Sequence, residues 1–287
     1  VIVFGASRGI GENMAFNLFE KKGYCLCILG KTLHSSQNGS LTDLKEKIIQ
    51  KGGDCIAIKC DVQDEKQVQN ALDTARDYFS KKNVKITCMI YNTGAILHAK
   101  VEETNLKKYD LLHKVNARGC YLAIQETLKI FRETPALKCT IIVQSPPIYQ
   151  RFFRGKTIYA MSKIAMSVLV RGLSFELENS NICIVSIWPA TGIESAATEK
   201  YDKKLLRKAD IMSECVLKIL EDENKQKLNG KFIIDEDYLR EKGYENFEQF
   251  RAQKNFEPPR MMPNTFPDLK VDEEKIEVFN INKQSKL

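Results

Sequence analysis

A glycine-rich turn between an apolar run and a helical pattern restricts the fold more than any other feature of the chain. Val1 to Phe4 is uniformly apolar, and Gly5-Ala6-Ser7-Arg8-Gly9-Ile10-Gly11 follows it. Residues 12–22 then carry Met14, Ala15, Leu18 and Phe19 on one helical face. The alternation repeats downstream. The pattern predicts strands at 24–29, 55–60, 86–91, 140–144, 182–188 and 231–234, with helices at 41–50, 65–79, about 106–131, about 159–178 and 210–220. Strands separated by helices pair in parallel through right-handed crossovers. The expected fold is therefore α/β, a Rossmann-type doubly wound parallel sheet with helices on both faces. A length of 287 residues exceeds what one such core needs and falls short of two full domains. The reading is a single nucleotide-binding domain over 1–235 with a C-terminal extension over 236–287. Four of the eight prolines, Pro258, Pro259, Pro263 and Pro267, fall in that extension, beside aromatic residues (Tyr238, Tyr244, Phe247, Phe250, Phe256) able to dock on the domain. Order is expected to about Asp268 and disorder beyond it.

Glycines at a strand–helix turn let the backbone approach a pyrophosphate, and the amides and positive dipole of the helix start bind its charge. Gly5, Ser7, Arg8, Gly9, Ile10 and Gly11 are thus candidate contacts to a dinucleotide. The alternative is a plain strand–helix junction. Sites for NAD usually place an acid at the end of the second strand, where it bonds the ribose 2′-hydroxyl. Here that position reads Gly30-Lys31-Thr32. With no acid present, Lys31, Thr32 and the guanidinium of Arg8 suit a 2′-phosphate, so NADP(H) is the expected cofactor. In the competing NAD-dependent reading, Lys31 and Arg8 are merely solvated charges. Asp61, ending the third strand, is placed to bond the adenine amine.

Tyr159 and Lys163 lie one helical turn apart on one face. A cation fixed beside a phenol stabilises the phenolate and brings its pKa toward the working range of a proton donor–acceptor. Alone, the pair is equally a surface feature. Together with Gly5, Gly9 and Gly11, with Asn92-Thr93-Gly94 after the fourth strand, and with Asn116 in Val115-Asn116-Ala117-Arg118-Gly119, it resembles the short-chain dehydrogenase/reductase family over 1–234. The resemblance implies hydride transfer between a nicotinamide and a carbonyl or alcohol. Tyr159 is then the acid–base and Lys163 its activator and a partner of the nicotinamide ribose. Asn116 holds a relay water, Asn92 lies beside the cofactor, and the backbone near Ile193 meets the nicotinamide carboxamide. The segment 190–212 is expected to line the substrate pocket, which has no readable specificity code.

Three positions depart from the family pattern. Pro146 of Ser145-Pro146-Pro147 stands where the polarising serine belongs, so Ser145 is the candidate only if the double proline redirects the turn. Tyr91 replaces the first Asn of the stretch after the fourth strand, a change expected to alter packing more than chemistry. Pro189-Ala190 replaces Pro-Gly. These departures are similar to a subgroup whose members often carry a C-terminal sterol-carrier domain, and this chain stops before one could form. A non-catalytic NADP(H)-binding sensor is the alternative function, motivated by Pro146.

Composition removes other classes. Forty-four Lys and Arg against 37 Asp and Glu give +7, spread without a basic block, which argues against nucleic acid. No apolar run approaches the length of a membrane span. Nine cysteines without a C-x-x-C pair read as buried hydrophobes in a reducing compartment. The three histidines sit at no ligand spacing, so no metal site is expected. Ser285-Lys286-Leu287 at the C-terminus is the tripeptide read by the peroxisomal import receptor. The expectation is a peroxisomal enzyme acting on a small, lipid-like substrate, with a homo-oligomer implied by the family. Since Val1 opens inside the first strand, a transit peptide ahead of it and a mitochondrial location stay open.

Overall fold

A computed structural model describes residues 1–34 and 39–270. Seven strands form one parallel sheet: β1 Ile2–Phe4, β2 Leu26–Gly30, β3 Cys55–Lys59, β4 Cys88–Tyr91, β5 Cys139–Val143, β6 Ile182–Trp188 and, after the two-residue strands β7 Gly192–Ile193 and β8 Leu206–Arg207, β9 Phe232–Ile234. Their order is β3-β2-β1-β4-β5-β6-β9. The strand order reverses between β1 and β4, and such a switch point opens a crevice at the carboxyl ends of the strands. The central strands are apolar on both faces because helices cover both.

The helices are α1 Gly9–Lys22, α2 Leu41–Gln50, α3 Glu65–Ser80, α4 Leu106–Leu112, α5 Gly119–Arg132, α6 Thr157–Glu176, α7 Asp210–Glu221 and α8 Asp235–Glu241. Side chains cap the starts of α2, α3 and α4: Ser40, Asp64 and Asn105 accept the Asp43, Gln67 and Lys108 amides. One face of the sheet buries Met14, Leu18, Leu44, Ile211 and Val216. The other buries Leu72, Phe79, Leu122, Phe131, Met166 and Val170.

Two expectations are corrected. The single long helix over 106–131 is interrupted at His113–Arg118 by a π-helical turn between α4 and α5. Periodicity cannot detect one inserted residue in a continuous helical run. In addition, α6 is 20 residues long and apolar enough by composition to cross a membrane. It is the core helix under β5 and β6, and more than half of its most apolar stretch is buried. The residues after β9 pack onto the domain: Tyr238, Leu239, Phe247 and Phe250 join the core of the first face, Tyr244 is half-buried, and Phe256 is exposed. The tripeptide 285–287 lies outside the described residues.

Candidate active site

The glycine turn takes the conformation that its composition allows. Gly5 and Gly9 have φ of +82° and +60°, a region costly for residues with a Cβ. The Gly5 and Ala6 amides both donate to the Leu29 carbonyl of β2, at 2.8 and 3.1 Å. Gly11 is required by packing: a methyl there would sit 2.1 Å from the Gly5 carbonyl oxygen and 2.4 Å from Asn92 Nδ2. Asn92 Nδ2 in turn donates to that carbonyl at 2.9 Å, so the residue expected beside the cofactor also braces the turn. Arg8 precedes α1 in extended conformation, and its side chain makes no capping hydrogen bond. A helix start above a glycine turn suits a pyrophosphate, because the first amides of a helix have no intrahelical backbone acceptor.

At the end of β2, Lys31 and Thr32 are exposed, and Lys31 Nζ lies 3.0 Å from Asp61 Oδ2. Asp61 also accepts the backbone and side-chain amides of Gln63. Burial raises its pKa, but the Gln63 amide and Lys31 outweigh that, and the carboxyl lies below the usual range. Two residues expected to serve opposite ends of an adenosine phosphate therefore face one another.

The catalytic candidates converge. Tyr159 and Lys163 are buried on α6. Lys163 Nζ donates to the Gln144 carbonyl at 2.8 Å, and burial pushes its pKa down to about 8. Burial pushes the Tyr159 phenol well above its ordinary value, so it is protonated at neutral pH. Asn116, fully buried in the π turn, accepts the Ala95 amide at 2.8 Å. Its Nδ2 donates to the Ala95 carbonyl and to Ser162 Oγ, both at 2.9 Å, and Ser162 Oγ donates to the Tyr159 carbonyl. A methyl at Gly94 would lie 3.4 Å from Lys163 Nζ and 3.5 Å from Asn116 Oδ1. Gly94 thus lies within ordinary contact distance of both groups.

Tyr91 explains how the π turn is held. Its hydroxyl donates to the Val115 carbonyl at 2.6 Å, one residue before Asn116. A methyl at Gly119 would lie 2.7 Å from that hydroxyl, so Tyr91 and Gly119 are mutually fitted. Sequence reasoning noted Tyr91 as a departure but had no means to connect it with Asn116.

Ser145 is fully buried, and its Oγ has no hydrogen-bond partner among the described residues. It follows Gln144, the acceptor of Lys163, and its own carbonyl accepts Ser186 Oγ at 2.5 Å. Pro146 is also buried, its carbonyl accepting Ser167 Oγ from α6 at 2.6 Å. Ile193 is buried in β7, paired with β8.

Around Tyr159 lies a third apolar cluster, separate from the two under the sheet faces. It includes Tyr149, Phe152, Ile158, Ala190 and Met262, with Leu97, Tyr109, Trp188 and Phe266 packed on it half-buried. Of the segment 190–212, expected to line the pocket, Ala190 alone belongs to this cluster. The signals passed over were the aromatic residues of Tyr149-Gln150-Arg151-Phe152-Phe153 and the methionine pair of the proline-rich stretch.

A family model described as short chain dehydrogenase matches residues 1–205. The hydroxysteroid dehydrogenase-like protein 2 of Bos taurus is 31% identical over 258 residues, which are 87% of this chain and 59% of the relative. The chain thus spans about three fifths of the length of that relative. A crystal structure from Xanthomonas campestris aligns with a TM-score of 0.82 at 26% identity, covering 91% of this chain and 97% of that one. Two more distant structures share the fold, each at a TM-score of 0.68 and 22% identity, covering 81% of this chain and 94% of the other. One is a 3-ketoacyl-(acyl-carrier-protein) reductase from Brucella melitensis complexed with NADH; the other is a short chain dehydrogenase from Burkholderia cenocepacia in complex with NADP. The fold itself accommodates either nucleotide.

Proposed function

Because the chain belongs to the short-chain dehydrogenase family, we propose that it is an NADP(H)-dependent oxidoreductase acting on a carbonyl or alcohol of lipid origin in peroxisomes. The observation that carries this reading is the hydrogen-bonded path from Asn116 through Ser162 to the Tyr159 carbonyl, with Gly94 in contact distance of both Asn116 and Lys163. When bound, the nicotinamide supplies or accepts the hydride.

The chain's own residues bind, orient and move the proton. The turn Gly5–Gly11 and the first amides of α1 would hold the pyrophosphate, Lys163 the nicotinamide ribose, and the backbone near Ile193 the carboxamide. Arg8, Lys31 and Thr32 would hold a 2′-phosphate, with Lys31 exchanging Asp61 for the phosphate. Preference for NADP(H) is supported by the absence of an acid at the end of β2. In reduction the Tyr159 hydroxyl donates its proton to the substrate oxygen; in oxidation it takes one back. Lys163, whose lowered pKa keeps it within reach of proton exchange near neutral pH, stabilises the phenolate. Asn116, held through the Ala95 backbone, orients the relay behind them.

The apolar cluster around Tyr159 supports a lipid-derived substrate. The C-terminal Ser285-Lys286-Leu287 supports delivery by the peroxisomal import receptor. Exposed Tyr121 on α5 and Val168 and Phe175 on α6 support pairing of two copies. One observation favours a second reading, a sensor without catalysis: Pro146 stands in the place of the usual serine, and Ser145 is sealed from solvent.

NADPH oxidation with medium- and long-chain aldehydes and ketones tests the proposal, with Lys31→Ala run in parallel using NADPH and NADH. Turnover lost in Tyr159→Phe, and an NADPH preference that drops about tenfold in Lys31→Ala, are expected. Micromolar NADPH binding without turnover across the panel would favour the sensor. A preference untouched by Lys31→Ala would assign the nucleotide to NAD.

A further inference from the structure

Most of the segment after α8 has neither strand nor helix, and its four prolines suggest a loose tail by composition. Its contacts are of another kind. Resting on the oxidoreductase reading above, we infer that residues 258–266 form a fixed wall of the substrate pocket, in which Met262 and Phe266 set the size of the apolar group admitted beside Tyr159.

The placement is direct. Tyr149 Oη donates to Met262 Sδ at 3.2 Å, and Phe266 meets the Tyr149 ring edge-on at 5.4 Å. From Tyr149 the aromatic contacts continue to Phe152 at 6.1 Å, and from Phe152 to Tyr159 at 6.1 Å and to Trp188 at 5.7 Å. These side chains fill neither sheet face. They stand beyond the carboxyl ends of the strands, where α/β sheets bind their ligands. A thioether among rings is also an adaptable lining, since Met is flexible and makes favourable sulfur–aromatic contacts.

The wall is held at several points along its length. Arg260 makes a bidentate pair with Asp237 of α8 at 2.6 and 2.7 Å and donates to the Met262 and Pro263 carbonyls at 2.9 and 3.0 Å. Arg151 donates to the Met261 carbonyl at 2.5 Å. Upstream, the fully buried Arg207 of β8 bonds Glu236 and Glu257, both at 2.5 Å. The prolines fix φ and lower the entropy that ordering the segment costs.

The wall is also joined to the cofactor side through one residue. The Met261 and Met262 amides donate to the Ala190 carbonyl at 2.8 and 3.1 Å, while the Ala190 amide donates to Asp235 Oδ1 at 2.8 Å. Ala190 lies three residues before Ile193, so the loop expected to meet the nicotinamide is gripped on both sides by the chain that follows β9. Arg260 and Asp235 are positioning residues in this arrangement; Met262 and Phe266 are the ones that meet substrate.

Trp188, the chain's single tryptophan, touches Phe152 inside the cluster and reports on pocket filling independently of turnover. The experiment titrates the full chain with a series of methyl ketones of increasing bulk, reading Trp188 fluorescence and NADPH oxidation side by side. Met262→Ala and Phe266→Ala are expected to shift the preferred size upward, by about tenfold in the ratio of bulkiest to smallest ketone. Met262→Leu, which conserves volume, is expected to restore the order of preference. A shifted binding profile without NADPH oxidation in any variant would sink the oxidoreductase reading and leave the wall standing. Profiles that coincide between the wild type and both alanine variants would overturn the wall, as would a Trp188 signal indifferent to every ketone.

Discussion

In the proposed site, the part assigned to the nucleotide is made of backbone: Gly5 and Gly9 in left-handed conformation and Gly11 against the Gly5 carbonyl at the start of α1. The part assigned to the substrate is made of side chains, Tyr149, Phe152, Trp188, Met262 and Phe266, drawn from positions more than a hundred residues apart. At Gly5 and Gly11 an added methyl would meet backbone atoms within 3 Å, and these cannot rotate away. A side-chain site can be reshaped by one rotamer or one truncation. The first suits a ligand whose phosphates do not vary, and the second suits a substrate that can. Tyr159 joins the two, with Asn116 reaching its carbonyl through Ser162 and Phe152 meeting its ring.

The largest effect is expected where the halves meet. Tyr159→Phe keeps the ring in the Phe152 and His98 contacts and removes only the hydroxyl. Loss of a general acid–base lowers kcat by about 10²- to 10⁴-fold, with NADPH affinity preserved. Single-turnover kinetics and a binding isotherm separate the two, and a variant retaining most of its rate would move the proton donor elsewhere. Next comes Gly11→Ala on the backbone side. Its methyl meets a carbonyl at 2.1 Å that has no rotamer to adopt, so we expect about 2–3 kcal/mol of lost stability and a collapse of nucleotide affinity. Denaturant melts compared with Phe266→Leu sharpen the contrast. If the glycine variant is the milder of the two, the division into a rigid and an adaptable half is wrong.

The same division explains what could be read from the sequence. Gly5, Gly9 and Gly11 announce themselves because only glycine fits a left-handed turn or a 2 Å approach, and Tyr159 and Lys163 because four residues make one helical turn. Lys31 was legible for what is missing beside it. Met262 and Phe266 carry no such mark: a methionine in a proline-rich stretch has no period, and its neighbour Tyr149 lies 113 residues away. The π turn at Asn116 was hidden for a related reason, since one extra residue leaves the apolar pattern of 106–131 looking continuous.

Tyr91 tests how far the rigid half extends behind the visible residues. Tyr91→Phe removes the donor to the Val115 carbonyl and leaves that buried acceptor without its partner, a loss of about 1–2 kcal/mol in stability. Because Val115 precedes Asn116, we expect kcat to fall several-fold while KM holds and the size profile for ketones stays as it was. A change confined to stability would make Tyr91 a packing residue alone.

The last effect concerns the join between the halves, and it appears as a slope. Burial pushes the pKa of Asp235 up to about 7, against the Ala190 and Glu236 amides that bond its Oδ1; Glu236 adds to the rise and Arg207 opposes it. The folded protein therefore holds a proton that the unfolded chain, at an ordinary carboxylate pKa, has released. Stability from this group is full below about pH 4 and is lost as pH rises through about 7. Asp235→Asn keeps an oxygen for both amides and has nothing to titrate. Between pH 5 and 8 its unfolding free energy should decline less than that of the wild type, by about 2–3 kcal/mol. Parallel slopes would mean that Asp235 titrates in the folded protein as it does in the unfolded chain, and that the Ala190 amide is held by a carboxylate at neutral pH.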